Sequence, residues 1–251
     1  YDYSAGIYYG FGFSSIFDED GKLWIGYTFK KSPLTQKGIG RGWRIATIDG
    51  SVPTKDNYTQ LIGENRLGVS KTFGLESPAG VIVSHTFSKI EVEMNTVLFD
   101  SVYTIGSKKI GYMVLKGFIS PTKAELDNTF LKFKNKNINE IIVDLRYNGG
   151  GSIDVSAYLA SLIGGNIANG SIYTIYKYNN KNSNLNQSIP FKTNANAVNL
   201  NQALFITTYG TASASELVIN GLKPYMNVAL IGSRTHGKPV GVPSWKWAGT
   251  P

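Results

Sequence analysis

From Ile110 onward the chain alternates short apolar runs with amphipathic, helix-forming stretches, and this alternation limits its fold more than any other feature. Residues 110–115 read as a strand and lead to a helical pattern from 122 to about 134; residues 140–145 lead to a second, 153–163, that stops at Gly164-Gly165. The cycle recurs as strand 204–208, helix 214–222 ended by Pro224, and strand 228–231. Such alternation predicts an α/β layer structure in which Ile141-Ile142-Val143 forms a central, buried strand. Thr122 and Glu125 carry a capping-box signature for the first helix, and Ala124, Leu126, Phe130, Leu131 and Phe133 are its expected apolar face. The Asn-rich residues 179–201 read as a long surface excursion.

The first ninety residues have a different texture. They are rich in glycine and aromatics, with strand-like runs at 23–28 and 80–84 and turn signals at Asp20-Gly21 and Asp49-Gly50. A small, mostly β domain over 1–90 is therefore expected ahead of an α/β domain over 91–251. Within it, Tyr9-Gly10-Phe11-Gly12-Phe13-Ser14 has glycines that let successive backbone N–H groups converge on an anion, beside a strand edge able to accept a peptide. The competing reading is a glycine-rich hairpin with aromatic core residues. Residues 32–50 combine a short helix, a Gly-punctuated turn, a strand and a tight turn.

Composition excludes several chemistries. A chain of 251 residues is long enough to bury roughly 70 to 75% of its unfolded surface. It has no Cys, hence no disulfide, thiol nucleophile or cysteine metal site, and its two His residues, His85 and His236, make zinc chemistry an unexpected use. The net charge of +8 is compatible with an anionic partner, but Lys and Arg are dispersed, with no basic run longer than pairs such as Lys30-Lys31 and Lys108-Lys109. Nucleic-acid binding is not expected. No apolar run reaches the roughly 18 to 20 residues of a membrane helix, and Tyr1-Asp2-Tyr3-Ser4 resembles neither a signal peptide nor an initiator Met, as in an excised or mature fragment.

Two strand-to-helix turns carry the candidate chemistry. Asp144-Leu145-Arg146-Tyr147-Asn148-Gly149-Gly150-Gly151 follows the central strand and opens a helix, so its glycines can present N–H groups to an anion or oxyanion. Without a P-loop Gly-Lys-Ser/Thr ending or a Gly-x-Gly-x-x-Gly spacing, nucleotide binding is not indicated, though a sharp turn alone would account for the glycines. Thr211-Ala212-Ser213-Ala214-Ser215-Glu216 likewise follows a strand and opens a helix. Ser213 and Glu216 satisfy the capping-box pattern, so Ser213 reads either as a helix cap or as a nucleophile beside the Ala214 N–H. Lys238 lies 25 residues after Ser213. A free lysine is neutral in fewer than about one molecule in a thousand at pH 7. A lysine base therefore needs its ammonium destabilised by about 4 kcal/mol, and Val240 and Val242 are the expected apolar cover. A buried Lys238 within hydrogen-bond reach of Ser213 is what turnover requires; an exposed one suits a binding protein. His236 is a rival base, with Asp144 or Glu216 to orient it, whereas His85 reads as structural or exposed. Arg146 and Asn148 read as braces of the glycine turn.

Taken together, the Asp-Leu-Arg-x-Asn strand end with its Gly-Gly, Ala212-Ser213-Ala214-Ser215-Glu216, Gly237-Lys238 and the strand opening Ile110-Gly111-Tyr112 resemble the carboxyl-terminal processing and tricorn-like serine peptidases, in a Bacteroidetes-type form. Residues 9–14 with 32–50 resemble a PDZ domain. The resemblance implies a PDZ-like domain followed by a ClpP/crotonase-like α/β core. It implies Ser213 as nucleophile, Lys238 as general base, and the Gly150 and Ala214 N–H groups as oxyanion hole, with Gly10, Phe11, Gly12 and Phe13 receiving a substrate C-terminus. Gly149 stands where many members have Pro or Ser, and Val242 stands where a Gln commonly holds the lysine. The implied partner is a polypeptide with a free C-terminus, with no metal, cofactor or nucleic acid and an open oligomeric state. The implied location is periplasmic or cell-envelope associated, as a lipoprotein whose anchor lies outside this chain, in keeping with Gly237-Lys238-Pro239-Val240-Gly241. A noncatalytic peptide-binding relative is the alternative, to which Val242 and the ending Trp247-Ala248-Gly249-Thr250-Pro251 lend weight, since relatives continue past the Gly-Lys segment. An acyl-CoA crotonase-type enzyme would explain the glycine turn but neither the first domain nor the Ser-Lys spacing.

Overall fold

The computed structural model describes residues 5–242, and the chain divides into two compact units that meet in sequence between Leu98 and Phe99. The first unit carries β1 (Ile7–Gly10), β2 (Phe13–Phe17), β3 (Leu23–Thr28), a 3-10 turn (Thr35–Lys37), β4 (Arg44–Ile48), α1 (Tyr58–Ile62), β5 (Ser70–Glu76), β6 (Ile82–Ser88) and β7 (Ile90–Glu93). Strands β2-β3-β4-β5-β6 form an antiparallel sheet in that order, and β1 pairs antiparallel with β7. Alternation sends Leu23 and Ile25, and Phe73 and Leu75, into one core; a register shift between Ile45 and Thr47 brings both Ile45 and Ile48 into it, and the Phe73 ring meets that of Phe11 edge-on at 5.0 Å. The strand expected at 80–84 begins only at Ile82, because Ser77 and Gly80 close a tight turn: the Gly80 N–H donates to Ser77 O, and φ at Gly80 is +80°.

The second unit contains β8 (Val97–Ile105), β9 (Lys108–Leu115), α2 (Thr122–Asn135), β10 (Glu140–Asp144), α3 (Ile153–Gly164), β11 (Ile172–Tyr176), a 3-10 segment (Asn180–Leu185), β12 (Gln187–Pro190), β13 (Gln202–Thr207), α4 (Ala214–Leu222) and β14 (Asn227–Gly232). The sheet order is β14-β13-β10-β9-β8, with β9, β10, β13 and β14 mutually parallel and β10 in the centre. Each crossover steps to the next strand in the same direction, so right-handed connections bring α2, α3 and α4 to one face, where α3 packs against both of the others. Met113, Leu115, Ile141, Val143, Ala203 and Phe205 alternate into that layer. Gly111 lets α2 approach closely there: a Cβ would stand 2.8 Å from Ile138 Cδ1 and 3.1 Å from the Phe133 ring, so both side chains would have to shift.

Two local expectations fail for tertiary reasons, and a third is refined. The Thr122 hydroxyl donates to Gly117 O at 3.1 Å and accepts from the Ile119 N–H at 3.1 Å, so it closes the preceding turn instead of forming a capping box with Glu125. Leu126, Phe130 and Phe133 are buried on α2, but Ala124 and Leu131 are exposed, because the sheet and α3 cover only a narrow stripe. The Asn-rich segment is a surface excursion as expected, with residues 179–190 almost all exposed, but it carries structure: β12 pairs antiparallel with β11, and Phe191, Ala197 and Leu200 are buried.

Candidate active site

The site lies at the carboxyl ends of the parallel strands, where β10 and β13 each turn into a helix. Ser213 ends the turn from β13 with φ 56° and ψ −116°, a conformation that suits glycine. Non-glycine residues held there store roughly 1 to 3 kcal/mol and persist where the surroundings over-determine them. Here the surroundings centre on Glu216, which is buried. Its Oε2 accepts the Ser213 N–H at 2.8 Å and the Lys238 N–H at 3.0 Å, while Oε1 accepts the Gly237 N–H at 2.6 Å. Because one oxygen serves both residues, the Ser213 and Lys238 amide nitrogens are no more than about 5.8 Å apart. Burial alone would raise the Glu216 carboxyl, but hydrogen bonds from the Thr235 side chain and from the Gly237, Lys238 and Ser213 N–H groups outweigh it and hold the group below its ordinary range.

The glycine turn is pressed against this nucleophile loop. Gly150 has φ +105°, and a Cβ on it would stand 2.8 Å from both Ser213 Cβ and Ala212 O and 3.0 Å from the Ala214 nitrogen. Only a bare backbone fits. The Ala214 N–H, first in its helix, has no intrahelical acceptor. The Gly150 N–H donates to Asn148 Oδ1 at 2.9 Å. Four further bonds lace the two turns together: Ala212 N–H and Ser215 Oγ to Asn148 O, Thr211 Oγ1 to Leu145 O, and Thr208 Oγ1 to Arg146 O. Asn148 Nδ2 is buried and lacks a partner among the described residues.

Below the turn, Asp144 is fully buried and takes the Arg146 guanidinium at 2.6 to 3.0 Å and the Tyr112 hydroxyl at 2.9 Å. Burial works to raise the Asp144 carboxyl, yet the Arg146 hydrogen bonds hold it below the ordinary carboxylate range. Asp144→Ala is expected to destabilise the protein by about 3 kcal/mol, because Arg146 and Tyr112 lose their shared acceptor; urea unfolding measures it, and a change under 1 kcal/mol would remove Asp144 as the brace of this turn.

Of the residues singled out from sequence, Ser213, Ala214, Gly150 and the backbone of Lys238 come together. The Lys238 side chain is exposed, and Val240 and Val242 are 61% and 76% exposed, so these valines do not provide the apolar cover expected of them. His236 has no carboxylate to orient it among the described residues: Asp144 is taken by Arg146 and Tyr112, and Glu216 by backbone amides, while the His236 ring lies 5.1 Å from that of Tyr209. His85 is partly buried on β6 beside Phe87. Residues 1–4 and the ending 247–251 lie outside the described residues.

Gly10, Phe11, Gly12 and Phe13 belong to the first unit. Phe11 O accepts from the buried Ser32 hydroxyl at 2.8 Å, and Gly12 O accepts from the Phe29 N–H at 2.8 Å. Across trans peptides this turns the Gly12 and Phe13 N–H groups away from Ser32 and Phe29. Gly12 has φ +75° and no room for a Cβ, which would stand 2.8 Å from Ser32 Cβ. Lys89, unremarkable in sequence, is buried here, and burial lowers its ammonium's pKa. Its Nζ donates to Gly63 O and Glu64 O, each at 2.7 Å, and lies 5.4 Å from the Phe11 ring centre, so it ties the end of α1 to the loop.

Residues 109–246 match the family model of peptidase family S41. The chain belongs to peptidase family S41. The family is one of peptidases, a membership that the acyl-CoA reading does not account for. Among S41 relatives, the carboxy-terminal processing protease CtpB of Bacillus subtilis is 27% identical over 224 residues, covering 88% of this chain and 45% of that protein. CtpA of the same organism is 24% identical over 227 residues, 90% of this chain and 46% of that protein. A solved Bacteroides fragilis structure assigned to the S41 proteases superposes with a TM-score of 0.80 at 25% identity, covering 97% of this chain and 70% of its own. The chain thus spans about half the length of the curated relatives it matches.

Proposed function

We propose that this chain is a serine endopeptidase acting on extended or poorly folded polypeptides, with a Ser213–Lys238 dyad in the second unit and a PDZ-like first unit that receives the substrate's C-terminus. One observation carries the reading: a single carboxylate, Glu216, holds the backbone of Ser213 and Lys238 together while the bare backbone of Gly150 lies against Ser213 and Ala214. Ser213 Oγ attacks the scissile carbonyl as the Lys238 amine takes its proton. The developing oxyanion accepts from the Ala214 N–H and from the Gly150 N–H, which exchanges Asn148 Oδ1 for it. Lys238 then returns the proton to the leaving amine; water, deprotonated by the Lys238 amine, attacks the acyl carbon, and that proton passes to Ser213 Oγ as the ester bond breaks and the acid product leaves. A polypeptide laid over the site supplies the cover that Val240 and Val242 do not, which desolvates the lysine when it is needed. Among the described residues no cluster of three His, Cys, Asp or Glu is arranged to hold a metal.

In the first unit, the inward-facing Phe11 and Gly12 carbonyls and the free edge of β2 support capture of a terminal carboxylate with an added strand. A cell-envelope location, with an anchor outside this chain, is proposed on the same resemblance. No described helix is long and apolar enough to cross a membrane.

The test is product mass analysis on an unstructured polypeptide with a free or amidated C-terminus, from pH 6 to 10. The native protein is expected to cleave it with a rate that rises through the basic limb, Lys238→Met to lose at least about 10³-fold, and amidation to cost about tenfold. Undiminished cleavage by Lys238→Met would overturn the dyad. The exposed Lys238 favours a second reading, a noncatalytic peptide-binding relative, and binding of the free C-terminus without any cleavage is its signature.

A further inference from the structure

Beside the nucleophile loop stands a group of side chains that the reaction as written does not use. The Arg234 guanidinium lies 5.5 Å from the Tyr209 ring centre, and the His236 ring lies 5.1 Å from it, tilted by 58°. All three are exposed, Tyr209 by 55%. Packing on an aromatic ring orders a guanidinium that would otherwise move freely.

The group is also held firmly. The Thr208 N–H donates to Thr211 Oγ1 and the Thr211 N–H to Thr208 O, which closes the turn bearing Tyr209, while Thr208 Oγ1 ties it to Arg146 O. The His236 N–H donates to Thr211 O, and the next two residues are anchored on Glu216, the carboxylate that also holds Ser213. Tyr209 is four residues from Ser213 in sequence, so their Cα atoms are separated by at most about 14 Å. An extended substrate rises about 3.3 Å per residue, which puts the group within about four substrate residues of the scissile bond.

What it would bind follows from its chemistry. Arg234 has no carboxylate partner among the described residues, although a guanidinium offers a planar fork that suits one. Asp144 is taken by Arg146, and Glu216 by backbone amides. The chain's charge of +8 favours approach of an acidic polypeptide. We infer that Tyr209, Arg234 and His236 form a specificity ledge that receives a carboxylate side chain, Asp or Glu, of the substrate within about four residues of the cleaved bond. Arg234 supplies the charge-assisted hydrogen bonds, Tyr209 supports its guanidinium, and His236 packs against the same ring. This rests on the peptidase reading for the identity of the occupant, but not for its detection.

The experiment therefore measures binding without turnover. Ser213→Ala protein is titrated with fluorescent, end-blocked peptides that carry one Glu, or one Gln in its place, at successive positions; a third peptide carries Gln throughout and a free C-terminus. At one or two neighbouring positions the Glu peptide is expected to bind about tenfold more tightly than its Gln counterpart. Arg234→Gln in that background should bring the ratio near one, and Arg234→Lys should leave a part of it, since charge survives while the fork is lost. Equal binding of the Glu and Gln peptides, no binding of either, or a preference that survives Arg234→Gln would overturn the ledge. Tighter binding of the free-C-terminus peptide that Arg234→Gln abolishes would transfer the group to a terminal carboxylate and overturn the side-chain assignment. Cleavage by the native protein is followed on the same peptides: cleavage without acid preference sinks the ledge alone, whereas acid preference without cleavage sinks the peptidase reading alone.

Discussion

Ser213→Ala is expected to lower kcat/KM on an unfolded polypeptide by at least about 10³-fold while leaving the folding free energy within about 1 kcal/mol of the native protein. Alanine keeps the strained backbone and removes only the hydroxyl. Ser213→Gly separates the two properties. It should be equally inactive, yet more stable than Ser213→Ala by about 1 kcal/mol, because φ 56° and ψ −116° cost a Cβ-bearing residue what glycine does not incur. Hydrolysis assays paired with urea unfolding read both quantities. Activity of Ser213→Ala within tenfold of native would assign the nucleophile elsewhere, and a glycine variant less stable than the alanine one would mean the turn is not strained.

Glu216→Ala has the larger structural consequence. It leaves the N–H groups of Ser213, Gly237 and Lys238 without their acceptor in a part-buried place, where a fully unsatisfied donor would cost about 1 to 3 kcal/mol and entering solvent recovers some of that. A net loss of about 3 kcal/mol is expected, together with a fall in kcat of roughly 10²-fold as the two halves of the dyad drift apart. The same group dictates a pH dependence. Its folded-state carboxyl titrates below the ordinary value of 4.5, so its contribution is fully present above that value and is lost as pH falls through the folded value. Native protein should therefore lose stability on acidification below about pH 4.5, and Glu216→Gln should lack that part of the slope. Urea unfolding between pH 3 and 8 would show it; parallel slopes for both proteins would mean that Glu216 does not titrate across folding.

Sequence pattern alone was sufficient where the determining interactions are local. Strand Leu23–Thr28 shows its alternation within six residues, and helix Ile153–Gly164 its apolar run. The central position of the strand bearing Ile141 and Val143 followed from its lack of polar positions, and the place of Ser213 at a strand-to-helix boundary from one half of a capping box. Where a partner lies far along the chain, no local signal exists. Glu216 announces its bond to the Ser213 N–H three residues away, but not those to Gly237 and Lys238 more than twenty residues on. Thr122 carries a cap signature and is claimed instead by Gly117 and Ile119, and Leu131 sits on an apolar stripe wider than the surface available to cover it. Lys89 has no neighbour in sequence that marks it for burial; three acceptors about twenty-five residues away do so. Residue type and spacing decided which elements form and which turns expose reactive groups, since backbone preference and amphipathic periodicity act over a few residues. Only the tertiary structure decided that Gly150 lies bare against Ser213, that one carboxylate serves both Ser213 and Lys238, and that Arg234 rests on Tyr209 without an acid partner among the described residues, because hydrogen bonds and steric fit between distant segments exist only once the chain has closed.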